Sequence, residues 1–90
     1  MTKNIPVVAT KHFKKALAKK SVDMQAAILE CIRRLGEDTR HPSLQTHPVR
    51  GRAGVFEAYV DDSNRVTFHY DDGAIVLRNH CNHAIVIRRP

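Results

Sequence analysis

Val55-Phe56-Glu57-Ala58-Tyr59-Val60, Asp61-Asp62-Ser63-Asn64, Arg65-Val66-Thr67-Phe68-His69-Tyr70, Asp71-Asp72-Gly73, Ala74-Ile75-Val76-Leu77-Arg78-Asn79-His80-Cys81 is a strand–turn–strand–turn–strand passage. Its three runs are rich in β-branched and aromatic residues, and the separators are clusters of Asp, Ser, Asn and Gly. Asp71-Asp72-Gly73 suits a three-residue hairpin loop with Gly73 in the left-handed position. Side chains alternate across a strand, so each run divides into two faces. One set holds Phe56, Ala58, Val60, Val66, Phe68, Tyr70, Ile75 and Leu77 and reads as the core. The other holds Glu57, Tyr59, Arg65, Thr67, His69, Arg78 and His80, and reads as a polar, basic, imidazole-rich face. By the same alternation Cys81 falls on the core side.

Upstream, residues 37–54 form a polar connection with Pro42, Pro48, Gly51 and Gly54. It is long for a loop without secondary structure, and such loops are often functional. It carries Arg40, His41, His47, Arg50 and Arg52. Before it, Met24, Ala27, Ile28, Cys31, Ile32 and Leu35 repeat at helical spacing. Ser21 stands at the N-cap, Asp23 in the first turn, and Gly36 where a helix C-cap glycine belongs. A shorter helix carries Phe13, Ala16 and Leu17 on one face, with Lys11, Lys14, Lys15, Lys19 and Lys20 elsewhere. Val7-Val8-Ala9-Thr10 is a short β-like run, and Ala84 to Arg89 is a tail that is apolar and then basic. The order β-α-α-β-β-β implies one α+β domain over residues 1–90: a small antiparallel sheet with an N-terminal helix hairpin packed on one face. No second layer of sequence remains to cover the polar face.

Fifteen Lys and Arg stand against nine Asp and Glu, a net charge of +6. That excess fits either a polyanion partner, nucleic acid first, or a merely solubilising surface. A chain of 90 residues buries only about 60–65% of its unfolded surface, so a partner covering apolar area would matter. Met1 to Pro6 is short and polar, and no apolar run approaches membrane length, so the expected location is the cytoplasm with Cys31 and Cys81 as free thiols. A zinc site from His80, Cys81 and His83 with Cys31, His41 or His47 fits no strong ligand spacing.

Arg grips phosphate bidentately and His titrates near neutrality. Together they supply what RNA cleavage without a metal requires: a base for the 2′-hydroxyl, cations for the phosphorane and an acid for the leaving 5′-oxygen. Exposed Arg and His on a strand are also commonplace on surfaces without function.

The stretch His41-Pro42-Ser43-Leu44-Gln45-Thr46-His47-Pro48-Val49-Arg50-Gly51, then Gly54 to Val60, Asn64-Arg65-Val66-Thr67-Phe68, Val76-Leu77-Arg78-Asn79 and the late His83 resembles the RelE/ParE superfamily of toxins, nearest its YafQ-like branch. The resemblance implies a β-α-α-β-β-β toxin of a type II toxin–antitoxin system. It implies a metal-independent endoribonuclease that cleaves mRNA on the ribosome, against 16S rRNA, and is neutralised by a cognate antitoxin. No cofactor and no membrane partner are implied. Carried over by position, His47 and His83 are catalytic histidines and Arg65 holds the scissile phosphate, while Tyr59 stands where this branch can carry a further histidine. Arg50, Arg52, Tyr59, Arg78 and His80 are the RNA- or phosphate-binding candidates. Where many relatives carry Gly-Thr-His-Asp-Glu-Val-Tyr, this chain has Cys81-Asn82-His83-Ala84-Ile85-Val86-Ile87, and a turn acid of some members is Ser63 here. Two other readings share the fold: a ParE-like inhibitor of DNA gyrase, which needs no catalytic histidines, and a degenerate toxin that only binds its antitoxin.

Overall fold

The computed structural model describes residues 5–82. His83 and the Ile85-Val86-Ile87 run lie outside them. Strand β1 (Val7–Ala9) leads into helices α1 (Lys11–Ala18) and α2 (Val22–Glu37). A 3-10 turn (Pro42–Leu44) follows, then β2 (His47–Pro48), β3 (Val55–Tyr59), β4 (Asn64–Asp71) and β5 (Ala74–Asn82). The sheet order is β1-β5-β4-β3-β2. All pairings are antiparallel except β1, which runs parallel to β5. The architecture expected from the sequence is therefore present, with two additions. The first strand joins the sheet edge in parallel, and the long connection contains both a 3-10 turn and a two-residue strand.

Local chemistry explains the helix limits. The Thr10 hydroxyl accepts from the Phe13 amide at 3.1 Å, and the Ser21 hydroxyl accepts from the Met24 amide at 3.2 Å, so both helices begin on side-chain caps. Gly36 is not the C-cap: α2 runs on to Glu37 and Asp38 closes it. Gly36 instead admits the incoming chain. Its carbonyl accepts from the Ile5 amide at 2.7 Å, and a Cβ there would stand 3.4 Å from a Val7 methyl. The β4–β5 hairpin is also tighter than three residues. Asp71 pairs with Ala74, which leaves only Asp72 and Gly73 at the turn, with φ of 50° and 78°. Two successive left-handed residues make a type I′ turn, whose twist matches that of the strands.

The core sits between the helices and one sheet face. Phe13, Ile28, Cys31, Leu35 and Leu44 meet Ala58, Val66, Phe68, Ile75 and Leu77. Full burial of such side chains contributes roughly 1.5–3 kcal/mol each. Tyr70 departs from expectation. It has the core parity but is exposed, one residue before the end of β4, where it packs edge-on against Phe56 and Phe68 at the rim.

The larger departure is a β-bulge. Phe68 pairs with Leu77 but Thr67 pairs with Asn79, so Arg78 is an extra residue on β5. One inserted residue reverses the alternation beyond it. Val66 consequently pairs with His80, and His80 packs edge-on against Phe13 of α1 at 5.2 Å. His80 therefore belongs to the helix side of the sheet, not to the polar face. Cys81, assigned to the core side by alternation, stands opposite Arg65 in the ladder.

Candidate active site on the polar sheet face

Ladder register sets the polar face in rows. His47, Glu57, Thr67 and Asn79 stand opposite one another across four strands. The next row holds Tyr59 and Arg65. Rows two residues apart lie roughly 7 Å from one another along the strands.

The centre of this face is buried, contrary to the expectation of an uncovered surface. Glu57 is 3% exposed and Thr67 is fully buried. The Thr67 hydroxyl is accommodated by donating to the Asn79 carbonyl at 3.2 Å. Glu57 is held by an ion pair: His47 Nε2 lies 2.5 Å from Glu57 Oε1, with the imidazole side chain still 53% exposed. The other ring nitrogen, Nδ1, lies 2.7 Å from the Gln45 carbonyl. Gln45 reaches that position in a left-handed conformation, φ 46°, which caps the 3-10 turn. Turn, strand and acid thus fix the histidine from both ends.

Protonation follows from these partners. A carbonyl oxygen can only accept, so Nδ1 carries hydrogen. Nε2 then faces a carboxyl group across a short contact. The ring is imidazolium against carboxylate, or imidazole against carboxylic acid, and in both arrangements the pair carries one transferable proton. Glu57 Oε2 is buried with no hydrogen-bond partner. A carboxyl group buried in this way needs a hydrogen-bonded partner close by, and His47 is that partner.

Arg65 is anchored differently. Its Nη1 donates to the carbonyls of Asp61, at 2.5 Å, and Asn64, at 3.0 Å. Its guanidinium carbon sits 4.8 Å from the centre of the Tyr59 ring. Among the described residues, two of its five N–H donors are used, both on the turn, which leaves those on Nε and Nη2 for an anion. The Tyr59 hydroxyl donates to Asp62 at 2.6 Å, and this bond raises its pKa. Asp61 Oδ1 accepts from Asn64 and from the Ser63 and Asn64 amides, which lowers the pKa of that carboxyl. The turn that carries Arg65 is thereby stiffened from inside.

The remaining candidates are distributed as follows. Arg78, on the bulge, donates from Nη1 to His69 Nδ1 at 3.0 Å, half-buried on the polar side. Arg50 and Arg52 are exposed on the loop between β2 and β3. His80 is on the opposite sheet face. Glu57 is the residue that sequence reasoning placed on the right face without assigning it a role. Its signal was being the lone acid among Arg, His and Tyr. Among the described residues, no three His, Cys, Asp or Glu side chains group closely enough to hold a metal ion. Cys31 is free and buried, and burial pushes its thiol up to about 12. No described helix is long and apolar enough to cross a membrane.

No family model and no curated protein matches the sequence. Solved structures do. A chain of the RelBE2 toxin–antitoxin complex from Mycobacterium tuberculosis superposes with a TM-score of 0.70 at 24% identity, covering 89% of this chain and 99% of that one. A YoeB/ParE toxin from Agrobacterium tumefaciens gives 0.72 at 14% identity, over 88% and 99%. YafQ from E. coli strain BL21(DE3) gives 0.64 at 11% identity, over 91% and 97%. The chain therefore has the α+β fold of the RelE, YoeB and YafQ toxins, the fold that the sequence resemblance implies.

Proposed function

We propose that this chain is the toxin of a type II toxin–antitoxin pair, and that it cleaves messenger RNA on the ribosome without a metal ion. The observation that carries the reading is the His47–Glu57 pair, which holds a transferable proton one row from a tethered arginine on a basic sheet face. The fold shared with RelE-type toxins supports the same reading.

In this mechanism the phosphate lies over the row of Tyr59 and Arg65. Arg65 meets two of its oxygens through Nε and Nη2 and stabilises the charge that gathers on the phosphorane. His47 carries its proton toward the leaving 5′-oxygen, with Glu57 holding the ring in place. His83, the other histidine that the sequence resemblance makes catalytic, takes the proton of the attacking 2′-hydroxyl. The products carry a 2′,3′-cyclic phosphate or a 3′-phosphate. Arg50, Arg52 and Arg78 add phosphate contacts, which position RNA without reading its bases. The whole chain, residues 1–90, acts as one domain in the cytoplasm.

The partner is a cognate antitoxin. The Mycobacterium tuberculosis structure is a toxin–antitoxin complex, and the archaeal RelE of Pyrococcus horikoshii, TM-score 0.69 at 20% identity, is paired with RelB. Binding through a basic face calls for acidic residues on the partner, and the affinity then weakens with salt.

The test is induced expression of wild type, His47→Gln, Arg65→Ala and His83→Gln, followed by primer extension on a reporter mRNA. The reading requires new 5′ ends in wild type that are lost in the variants. Growth arrest with intact mRNA in every strain would replace it with gyrase inhibition. Neither arrest nor cleavage in wild type would leave only antitoxin binding.

A further inference from the structure

The bulge at Arg78 sends His80 under α1, and a basic cavity results. His12, Lys15 and Ala16 of α1, with Lys19 and Lys20 just beyond its end, wall a space of about 340 Å³ with His80 as its inner residue. His80 is 5% exposed, and its Nε2 is buried without a hydrogen-bond partner. The ring is held in place by Phe13 edge-on at 5.2 Å. Helix α1 contains no acid, and none of Lys15, Lys19 and Lys20 forms an ion pair among the described residues. Across the ladder His80 faces Val66, which offers no charge.

The Ala16 backbone carbonyl interacts with the ring and favours its protonated form. Around the space stand three ammonium groups and a second imidazole, with no acid in its lining, so the chemistry that fits it is anionic. Burial first, and then the nearby Lys20 and His12 charges, hold the His80 imidazole below its ordinary pKa against the effect of Ala16. An anion in the cavity would oppose the Lys20 effect. Lysines act as point charges that suit phosphate, whereas a planar carboxylate is better matched by arginine, of which the cavity has none.

We infer that the cavity between α1 and β5 is a phosphate-binding site, built from Lys15, Lys19, Lys20 and His12 over His80. Its ligand is the phosphate of a polynucleotide backbone or of a free nucleotide. The site lies across the sheet from His47 and Glu57, shares no residue with them, and stands whether or not the chain cleaves RNA. Anion binding draws a proton onto His80, so affinity rises as pH falls through the imidazole range.

The experiment is NMR titration of the full chain with two probes of fixed charge: sulfate, and a 2′-O-methyl RNA hexamer that cannot undergo 2′-hydroxyl attack. The expected result is saturable movement of the His12 and His80 ring signals, with tighter binding near pH 6 than near pH 8. The exposed double variant Lys19→Gln/Lys20→Gln should weaken sulfate binding roughly tenfold. It should also flatten the salt dependence of hexamer binding by a slope of about 1.4. The double variant His12→Gln/His80→Gln should abolish the pH dependence. Response to sulfate alone assigns the site to free phosphates; a tighter hexamer response at the same residues assigns it to polynucleotide backbone. Movement confined to the polar face, undiminished binding by the lysine double variant, or tighter binding of hexaglutamate than of the hexamer would overturn the inference.

Discussion

Replacing Glu57 with Gln is the sharpest perturbation of the candidate active site. The amide is nearly isosteric and its oxygen can still accept from His47 Nε2, so the geometry survives while the charge is lost. What disappears is a 2.5 Å charge-assisted bond between a buried carboxylate and an imidazole that is 53% exposed. Such bonds contribute about 1.5–3 kcal/mol, and the exposed ring favours the lower figure. At about 1.4 kcal/mol per factor of ten, cleavage should fall roughly tenfold, because the ring loses the charged partner that holds it in place. Binding of an uncleavable RNA should not change. Folding stability should move by no more than about 1 kcal/mol, because the substitution also removes a buried charge whose Oε2 has no partner. The assay is single-turnover cleavage on purified ribosomes with wild type, Glu57→Gln and His47→Gln. A Glu57→Gln rate equal to that of wild type, beside an inactive His47→Gln, would refute the role given to the carboxylate. An active His47→Gln would refute the role given to the histidine.

Arg65→Ala should lower cleavage by at least about 10²-fold, because the guanidinium acts on developing charge. It should also destabilise the fold by about 1–3 kcal/mol through lost bonds to the Asp61 and Asn64 carbonyls, measured by urea titration. His80 titrates with the opposite sign to a partnered histidine. Burial holds its pKa below the ordinary 6.5, so the unfolded chain takes up the proton first. Its stabilising contribution is therefore complete above pH 6.5 and declines as pH falls toward the folded value, and His80→Gln should flatten that part of a stability–pH curve. Gly73→Ala should cost about 1 kcal/mol in thermal unfolding, because φ of 78° forces a Cβ into the left-handed region.

The strand passage from Val55 onward was legible because its alternation matched the pleat, and its core set Ala58, Val66, Phe68, Ile75 and Leu77 is buried as read. The cap at Ser21 was equally legible, since hydroxyl chemistry acts within one turn. Alternation failed where one residue was inserted. Arg78-Asn79-His80 is a polar triplet that breaks the period, and that triplet was the available sign of a bulge. Gly36 was misread because glycine serves both helix ends and close packing, and only the position of Val7 and Ile5 distinguishes the two. The His47–Glu57 contact could not be read from spacing, since nine residues and a hairpin separate the partners. It depends on two residues of β2 pairing in one register with β3.

The central claim is metal-free attack by a 2′-hydroxyl, and the chemistry of the cut ends tests it most directly. Purified protein, ribosomes and a defined mRNA are incubated with magnesium held at the level that keeps ribosomes intact, and the new 3′ ends are analysed by mass spectrometry. A parallel reaction uses mRNA carrying a single 2′-deoxy residue at the mapped cleavage position. The account predicts 2′,3′-cyclic phosphate or 3′-phosphate ends, and no cut at the 2′-deoxy position. Fragments with free 3′-hydroxyl ends, or cleavage that continues through the 2′-deoxy position, would contradict it.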